Sequence, residues 1–203
     1  MSPIESLMRT ASVIPVLVMD QVADAQPVAE ALVAGGLPVL EVTLRTPAAL
    51  EIMAEMARVP GAIVGAGTVL NRRDLDAALA AGARFIVSPG LTEPLARAAI
   101  SAGVPFLPGV ANAADIMRGL DLGFDRFKFF PAEASGGVKA LSALAAPFHS
   151  CRFCPTGGIT EATARDWLAL EAVLCVGGSW LVPKGAPDFA SIQAAATRAS
   201  RFS

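Results

Sequence analysis

IVGAGTVLNRRDLDAALAAGARFIVS, residues 63–88, contains the building unit of the whole chain. A short apolar run, Ile63 to Thr68, closes on small and hydroxyl residues. Asn71 then has the chemistry of a helix N-cap, Arg72 to Ala81 carries Leu and Ala at helical spacing, and Gly82 follows the last periodic position. A second apolar run, Arg84 to Ser88, comes next. Strands joined through a helix run parallel, because antiparallel neighbours need only a tight turn whereas a parallel pair needs a crossover.

The same unit recurs in both directions. Strands are predicted at Val13 to Val18, Val39 to Leu44, Ile63 to Thr68, Arg84 to Ser88, Phe106 to Pro108, Arg126 to Phe130, Arg152 to Pro155 and Val173 to Val176. Helices are predicted at about Ala23 to Ala34, Pro47 to Arg58, Arg72 to Ala81, Glu93 to Ala102, Ala113 to Leu122, Val138 to Leu144, Glu161 to Leu170 and Asp188 to Ala199. Thr92 is a second expected N-cap, and Gly35, Gly103 and Gly123 are further stop signals. Eight strand-helix units in 203 residues is the lower size limit of a (β/α)8 TIM barrel. An open doubly wound sheet of eight strands would be a rarer use of the same pattern. The expectation is therefore one (β/α)8 barrel domain over residues 1–203, with its active site at the C-terminal ends of the strands.

Composition narrows the chemistry. With 54% hydrophobic and 17% charged residues the chain can bury one core, and a formal charge of −2 with scattered basic residues argues against nucleic acid as a partner. The opening Met1-Ser2-Pro3-Ile4-Glu5 does not read as a leader and no later stretch is long and apolar enough for a membrane span, so no membrane partner and a cytoplasmic location are expected. The single histidine, His149, leaves a multi-histidine zinc site or a Ser-His-Asp triad without material, and no metal is expected. Cys151-Arg152-Phe153-Cys154 reads as a strand that puts its two thiols on opposite faces, which suits core cysteines better than a redox motif.

Three lysines exist, and one, Lys128, lies inside the apolar strand Arg126-Phe127-Lys128-Phe129-Phe130-Pro131. Alternation puts Lys128 and Phe130 on one face and Phe127 and Phe129 on the other. An ammonium among phenyl rings is poorly solvated, which favours the neutral amine that attacks a ketone; the alternative is a lysine that snorkels to water or pairs with a carboxylate. In Val39-Leu40-Glu41-Val42-Thr43-Leu44-Arg45, Glu41, Thr43 and Arg45 share the face that should look into the barrel or its mouth. There a carboxylate can shuttle protons and a guanidinium can grip a substrate carboxylate. Glu41 and Arg45 are separated by about 13 Å along the strand, too far to pair with each other. Two later strands end in glycine pairs, Pro155-Thr156-Gly157-Gly158 and Val176-Gly177-Gly178-Ser179. Bare backbone there lets N–H groups approach phosphate oxygens, and Thr156 or Ser179 can add a hydroxyl. Gly65-Ala66-Gly67-Thr68 lacks the third glycine and downstream acid of a dinucleotide fingerprint, so Thr68 is read as a hydrogen-bonding residue at the rim.

Leu40-Glu41-Val42-Thr43-Leu44-Arg45, Gly65-Ala66-Gly67-Thr68, Ser88-Pro89-Gly90, Phe127-Lys128-Phe129-Phe130-Pro131-Ala132-Glu133, Pro155-Thr156-Gly157-Gly158-Ile159 and Gly177-Gly178-Ser179-Trp180 together resemble the class I 2-keto-3-deoxy-6-phosphogluconate / 4-hydroxy-2-oxoglutarate aldolase family. The resemblance runs through nearly the whole chain. It implies a (β/α)8 barrel, usually a homotrimer, with no metal or cofactor and an imine on Lys128. It likewise implies Glu41 as general acid/base, Arg45 and Thr68 on the pyruvate carboxylate, Pro89 and Phe130 lining the pocket, and Gly157, Gly158, Gly178 and Ser179 on the phosphate side. Pro108-Gly109-Val110-Ala111-Asn112 departs from the pattern, since relatives often carry a hydroxyl pair after the glycine. The expected substrate is a phosphorylated 2-keto-3-deoxy sugar acid, cleaved to pyruvate and glyceraldehyde 3-phosphate, with 4-hydroxy-2-oxoglutarate as a second candidate. A sugar-phosphate isomerase or decarboxylase, and a non-catalytic phosphosugar-binding barrel, are the alternatives; neither needs an imine.

Overall fold

A computed structural model describes residues 1–202. In chain order it contains α1 (Pro3–Met8), β1 (Val13–Leu17), a 3-10 turn (Val22–Asp24), α2 (Ala25–Ala34), β2 (Val39–Thr43), α3 (Ala49–Met56), β3 (Ile63–Gly67), α4 (Arg72–Ala80), β4 (Ile86–Val87) and α5 (Glu93–Ala102). There follow β5 (Phe106–Leu107), β6 (Gly109–Val110), α6 (Ala113–Asp121), β7 (Arg126–Phe129), α7 (Gly137–Ala145), β8 (Arg152–Pro155), α8 (Ala164–Leu168), β9 (Val176–Gly178) and α9 (Phe189–Ala199). The strand-helix alternation follows the apolar runs. Asn71 caps α4 by accepting from the Asp74 N–H at 3.0 Å. Thr92 precedes α5 but makes no side-chain cap; Pro94 in the first turn removes one of the N–H groups a cap would serve.

All strand pairs are parallel. They form a six-stranded sheet in the order β5-β4-β3-β2-β1-β9 and a three-stranded sheet in the order β6-β7-β8, a curled parallel α/β arrangement. The eight-stranded ladder expected from sequence is thus interrupted twice. Pro108, the last residue of the predicted fifth strand, parts β5 from the unpredicted β6, since proline has no N–H to give to a ladder. Between β8 and β9 only isolated bridges form, Phe153 to Val173 and Thr156 to Gly177. The β9 side spans one more residue than the β8 side between those bridges, and an extra residue breaks regular pairing as a bulge does. The last strand accordingly lies at Val176–Gly178, displaced toward the glycines from the predicted Val173 to Val176.

Side chains alternate between two apolar layers. In β7, Phe127 and Phe129 face the helices, where they meet Phe153 and Trp167 at centroid separations of 6.1 and 6.3 Å. The opposite face looks onto a smaller interior cluster of Met8, Ile14, Val39, Phe85, Val87, Leu107, Cys154 and Cys175. Gly65 is needed there because a Cβ on it would lie 2.5 Å from the Phe85 ring.

Helix α1 was not foreseen, although Ser2-Pro3 followed by Glu5 is a legible helix start. Ser2 accepts from the Glu5 N–H, and Glu5 bonds both Arg9 and Arg126 at 2.8 Å. Arg126 opens β7, and Met8 is fully buried in the interior cluster, so α1 lies across the N-terminal ends of the strands. Burying the Met8 side chain is worth about 1.5–3 kcal/mol, enough to hold a two-turn helix that would not form alone.

Candidate active site

The interior face of β7 carries Lys128 and that of β2 carries Glu41. Their strands are not neighbours, and the side chains meet across the interior with Nζ to Oε1 at 3.0 Å. Lys128 is 5% and Glu41 3% exposed. The structure gives Lys128 a carboxylate partner. The alternation is as expected: Phe130 shares the face of Lys128, 5.4 Å from Nζ, while Phe127 and Phe129 face away toward the helices. Glycine at 67 makes the pair possible, since a Cβ there would overlap the Glu41 carboxylate and come within 2.7 Å of its Cγ. Removing two charges from water costs several kcal/mol per ion, so a buried pair of this kind is a poor device for stability. It does place a nucleophile next to a group that can take its proton.

The rim above the pair comes from the neighbouring strands β2, β3 and β4. Arg45 and Thr68 each follow the Thr43–Gly67 register pair, which sets them at a similar height, and Arg45 is exposed with no acidic partner among the described residues. Thr68 has φ of 58°, a left-handed conformation that costs a β-branched residue about 1–3 kcal/mol and tends to occur where a side chain must be aimed. Pro89 follows β4 in a loop tightened by the Ser88 hydroxyl donating to the Gly90 carbonyl at 2.6 Å. A cavity of about 560 Å³ opens between Val18, Met19, Thr46 and Lys184, with neither Arg45 nor Lys128 in its wall.

The glycine pairs lie beyond Phe130, whose ring edge stands 3.3 Å from where a Cβ of Gly157 would be. The carbonyls of Thr156 and Gly157 accept from the Ala132 and Glu133 N–H groups at 2.8 and 3.0 Å. The Gly157 N–H is turned to Gly177 by the parallel bridge of Thr156 to Gly177, whereas among the described residues no acceptor takes the Gly158 N–H, at a position where φ of 83° favours glycine. Gly178 is buried against the Trp180 ring and Ser179 is exposed. Thr156 departs from expectation. It is 6% exposed and its hydroxyl lies over Gly177 and 3.9 Å from the Cys154 sulfur, facing the interior rather than joining the exposed Ser179. The bridge to Gly177 turns it inward.

The remaining sequence candidates take structural positions. Cys151, Cys154 and Cys175 are free and buried, with Cys151 in the outer layer and Cys154 in the interior, on opposite faces as expected. His149 is exposed in a turn. In the departing segment, Asn112 caps α6 by accepting from the Asp115 N–H at 3.0 Å and Val110 is buried. Among the described residues no group of three or more His, Cys, Asp or Glu is placed to hold a metal. Two contributors escaped sequence reasoning: Gly67, whose signal was a glycine facing a charged residue one strand away, and the pair Glu133–Trp167, described below.

A sequence model of the KDPG and KHG aldolase family matches residues 4–195. The chain is 61% identical over 202 residues to the 2-dehydro-3-deoxy-phosphogluconate aldolase of Zymomonas mobilis, covering 100% of this chain and 97% of that one. It is 56% identical over 183 residues to the KHG/KDPG aldolase of Escherichia coli, covering 90% and 86%. The crystal structure of the KDPG aldolase of Legionella pneumophila, with pyruvate captured at low pH as a covalent carbinolamine intermediate, superposes with a TM-score of 0.94 at 42% identity, covering 98% of each chain.

Proposed function

The chain belongs to the KDPG and KHG aldolase family, and on that footing we propose that it cleaves 2-keto-3-deoxy-6-phosphogluconate to pyruvate and glyceraldehyde 3-phosphate through an imine on Lys128. The observation that carries this reading is the buried contact of Lys128 Nζ with Glu41 Oε1 at 3.0 Å. An amine attacks only after losing its proton, and the Glu41 carboxylate is the base within reach. Lys128 then adds to the C2 ketone. Protonated Glu41 returns its proton to the carbinolamine hydroxyl, which leaves as water and gives the protonated imine. Glu41, again a carboxylate, takes the proton of the C4 hydroxyl, and the C3–C4 bond electrons move into the imine to form an enamine. Protonation of C3 and hydrolysis release pyruvate and restore the lysine.

Around this centre Arg45 and Thr68 hold the keto-acid carboxylate, Pro89 and Phe130 wall the pocket, and Thr156 stands near the imine. The Gly157-Gly158 turn with its free Gly158 amide, together with Gly178 and Ser179, receives the phosphate. Phosphate binding serves position more than chemistry, so 4-hydroxy-2-oxoglutarate is cleaved to pyruvate and glyoxylate by the same machinery. The two sheets are taken as one (β/α)8 barrel in a single domain, on the support that only Pro108 parts β5 from β6 and that two bridges span β8 to β9. A homotrimer is also proposed. Ile100, Met117 and Leu120 stand exposed on α5 and α6 and offer apolar surface to another copy. Three free cysteines fit a cytoplasmic, reducing compartment.

The test is to incubate the protein with pyruvate, reduce with borohydride and map the added mass. A pyruvyl adduct on Lys128, absent from Lys128→Ala, is expected. An unmodified Lys128 in the unaltered chain would refute the mechanism.

A further inference from the structure

We propose that Glu133 is a positioning residue for the phosphate side of the site, acting on Gly158 and locked in place by Trp167; this rests on the reading of the glycine pair as the phosphate grip. Three contacts join the residue to that loop. Its backbone N–H donates to the Gly157 carbonyl at 3.0 Å, beside the equivalent bond from Ala132 to Thr156 at 2.8 Å. Its Cβ and Cγ occupy the face of Gly158, each 2.7 Å from where a Cβ at 158 would be. Its Oε1 accepts from the Trp167 Nε1–H at 3.0 Å.

Each contact has a physical consequence. The backbone bonds turn the loop carbonyls away, leaving the Gly158 amide to face a ligand. The Glu133 stem then limits the excursions of Gly158, a residue with φ of 83° and no side chain of its own to fix it. The carboxylate raises the opposite problem, because an unheld anion next to a free amide would compete with phosphate for the same donor. Trp167 prevents this by drawing the carboxylate toward the helix layer. It can do so because it is fully buried and packed on Phe129, and because its own N–H would otherwise be an unpaired buried donor. Each of the two residues thus fixes the other.

The experiment uses the full chain with Trp167→Phe, which keeps the ring and deletes the donor, alongside Glu133→Ala and Glu133→Gln, whose amide oxygen still accepts from the indole. Trp167→Phe and Glu133→Ala are expected to raise KM for the phosphorylated substrate, and the dissociation constant of inorganic phosphate measured by calorimetry, by about five- to twentyfold. The kcat, and both constants for phosphate-free 4-hydroxy-2-oxoglutarate, should stay within about twofold. Glu133→Gln should restore most of the loss. Equal losses on both substrates, or an unchanged phosphate dissociation constant in Trp167→Phe, would overturn the proposal. If Glu133→Ala fails to fold, the other two variants still give the answer. Borohydride trapping of pyruvate on the same samples reads the aldolase assignment separately, and the phosphate measurement holds whatever trapping returns.

Discussion

Replacing Gly67 with alanine should disable the site without touching a reacting group. The position lies inside β3 with φ outside the left-handed region, so alanine is acceptable to the backbone. Its methyl group is not acceptable to Glu41, because it would overlap the carboxylate and stand 2.7 Å from Cγ and 2.8 Å from Cδ. Carbons in contact prefer roughly 3.5–4.0 Å, so the side chain must retreat by on the order of 1 Å. A misplacement of that size costs a catalytic group about a hundredfold, or about 2.7 kcal/mol of activation free energy. Crowding the interior adds about 1–3 kcal/mol of lost stability, visible as a lower Tm. The assay is pyruvate release from 2-keto-3-deoxy-6-phosphogluconate with lactate dehydrogenase and NADH as the reporter, run well below the variant's Tm. A folded Gly67→Ala variant with kcat within threefold of the parent would show that Glu41 tolerates displacement, and the role given to the 3.0 Å contact would be wrong.

Three further outcomes are expected. Arg45→Lys should raise KM for the keto acid by roughly ten- to a hundredfold with kcat changed much less, because a bidentate charged contact worth about 1.5–3 kcal/mol is lost; kinetics showing an unaltered KM would remove Arg45 from the carboxylate. Bonds from Arg9 and then Arg126 hold the Glu5 carboxyl below its ordinary value. Its contribution to stability is therefore complete above the unfolded pKa of about 4.3 and is lost as pH falls through the lower folded value. The Tm gap between the parent and Glu5→Gln should be widest near neutrality and close toward pH 3; a gap independent of pH would contradict this. Contact with Cys154, then burial, pushes the Cys175 thiol well up, and burial raises Cys151. Since the thiolate is the reactive form, a thiol-specific dye at pH 8 should find no fast-reacting cysteine in the native protein and all three in denaturant.

Sequence made the alternation of strands and helices legible because each unit carries its own apolar period and its own stop signals. Lys128 and Glu41 stood out as charges inside apolar strands. Their direct contact was not legible, since it depends on the stagger of strands that are not neighbours, which no local pattern encodes. The glycine-rich end of β9 read as a turn for the same local reason, since Gly177 and Gly178 lack the side chains that mark a strand, yet they are required by Thr156 and the Trp180 ring. Thr156 looked like a loop hydroxyl from its neighbours in sequence, and only the bridge to Gly177 shows it turned inward. Helix α1 was missed because its six residues are too few for periodicity to register, although its cap and its proline were in plain view.

With α1 and the apolar cluster closing the N-terminal end, the Lys128–Glu41 pair has a floor on that side. Reactants of the proposed chemistry are then exchanged at the C-terminal side of the strands, which imposes an order of traffic on the proposed reaction. In that reaction pyruvate stays tethered to Lys128 while the aldehyde does not, so the aldehyde departs first and leaves room for the hydrolytic water. A slowly leaving aldehyde therefore delays its co-product, and a high aldehyde concentration should hold the enzyme in its tethered form.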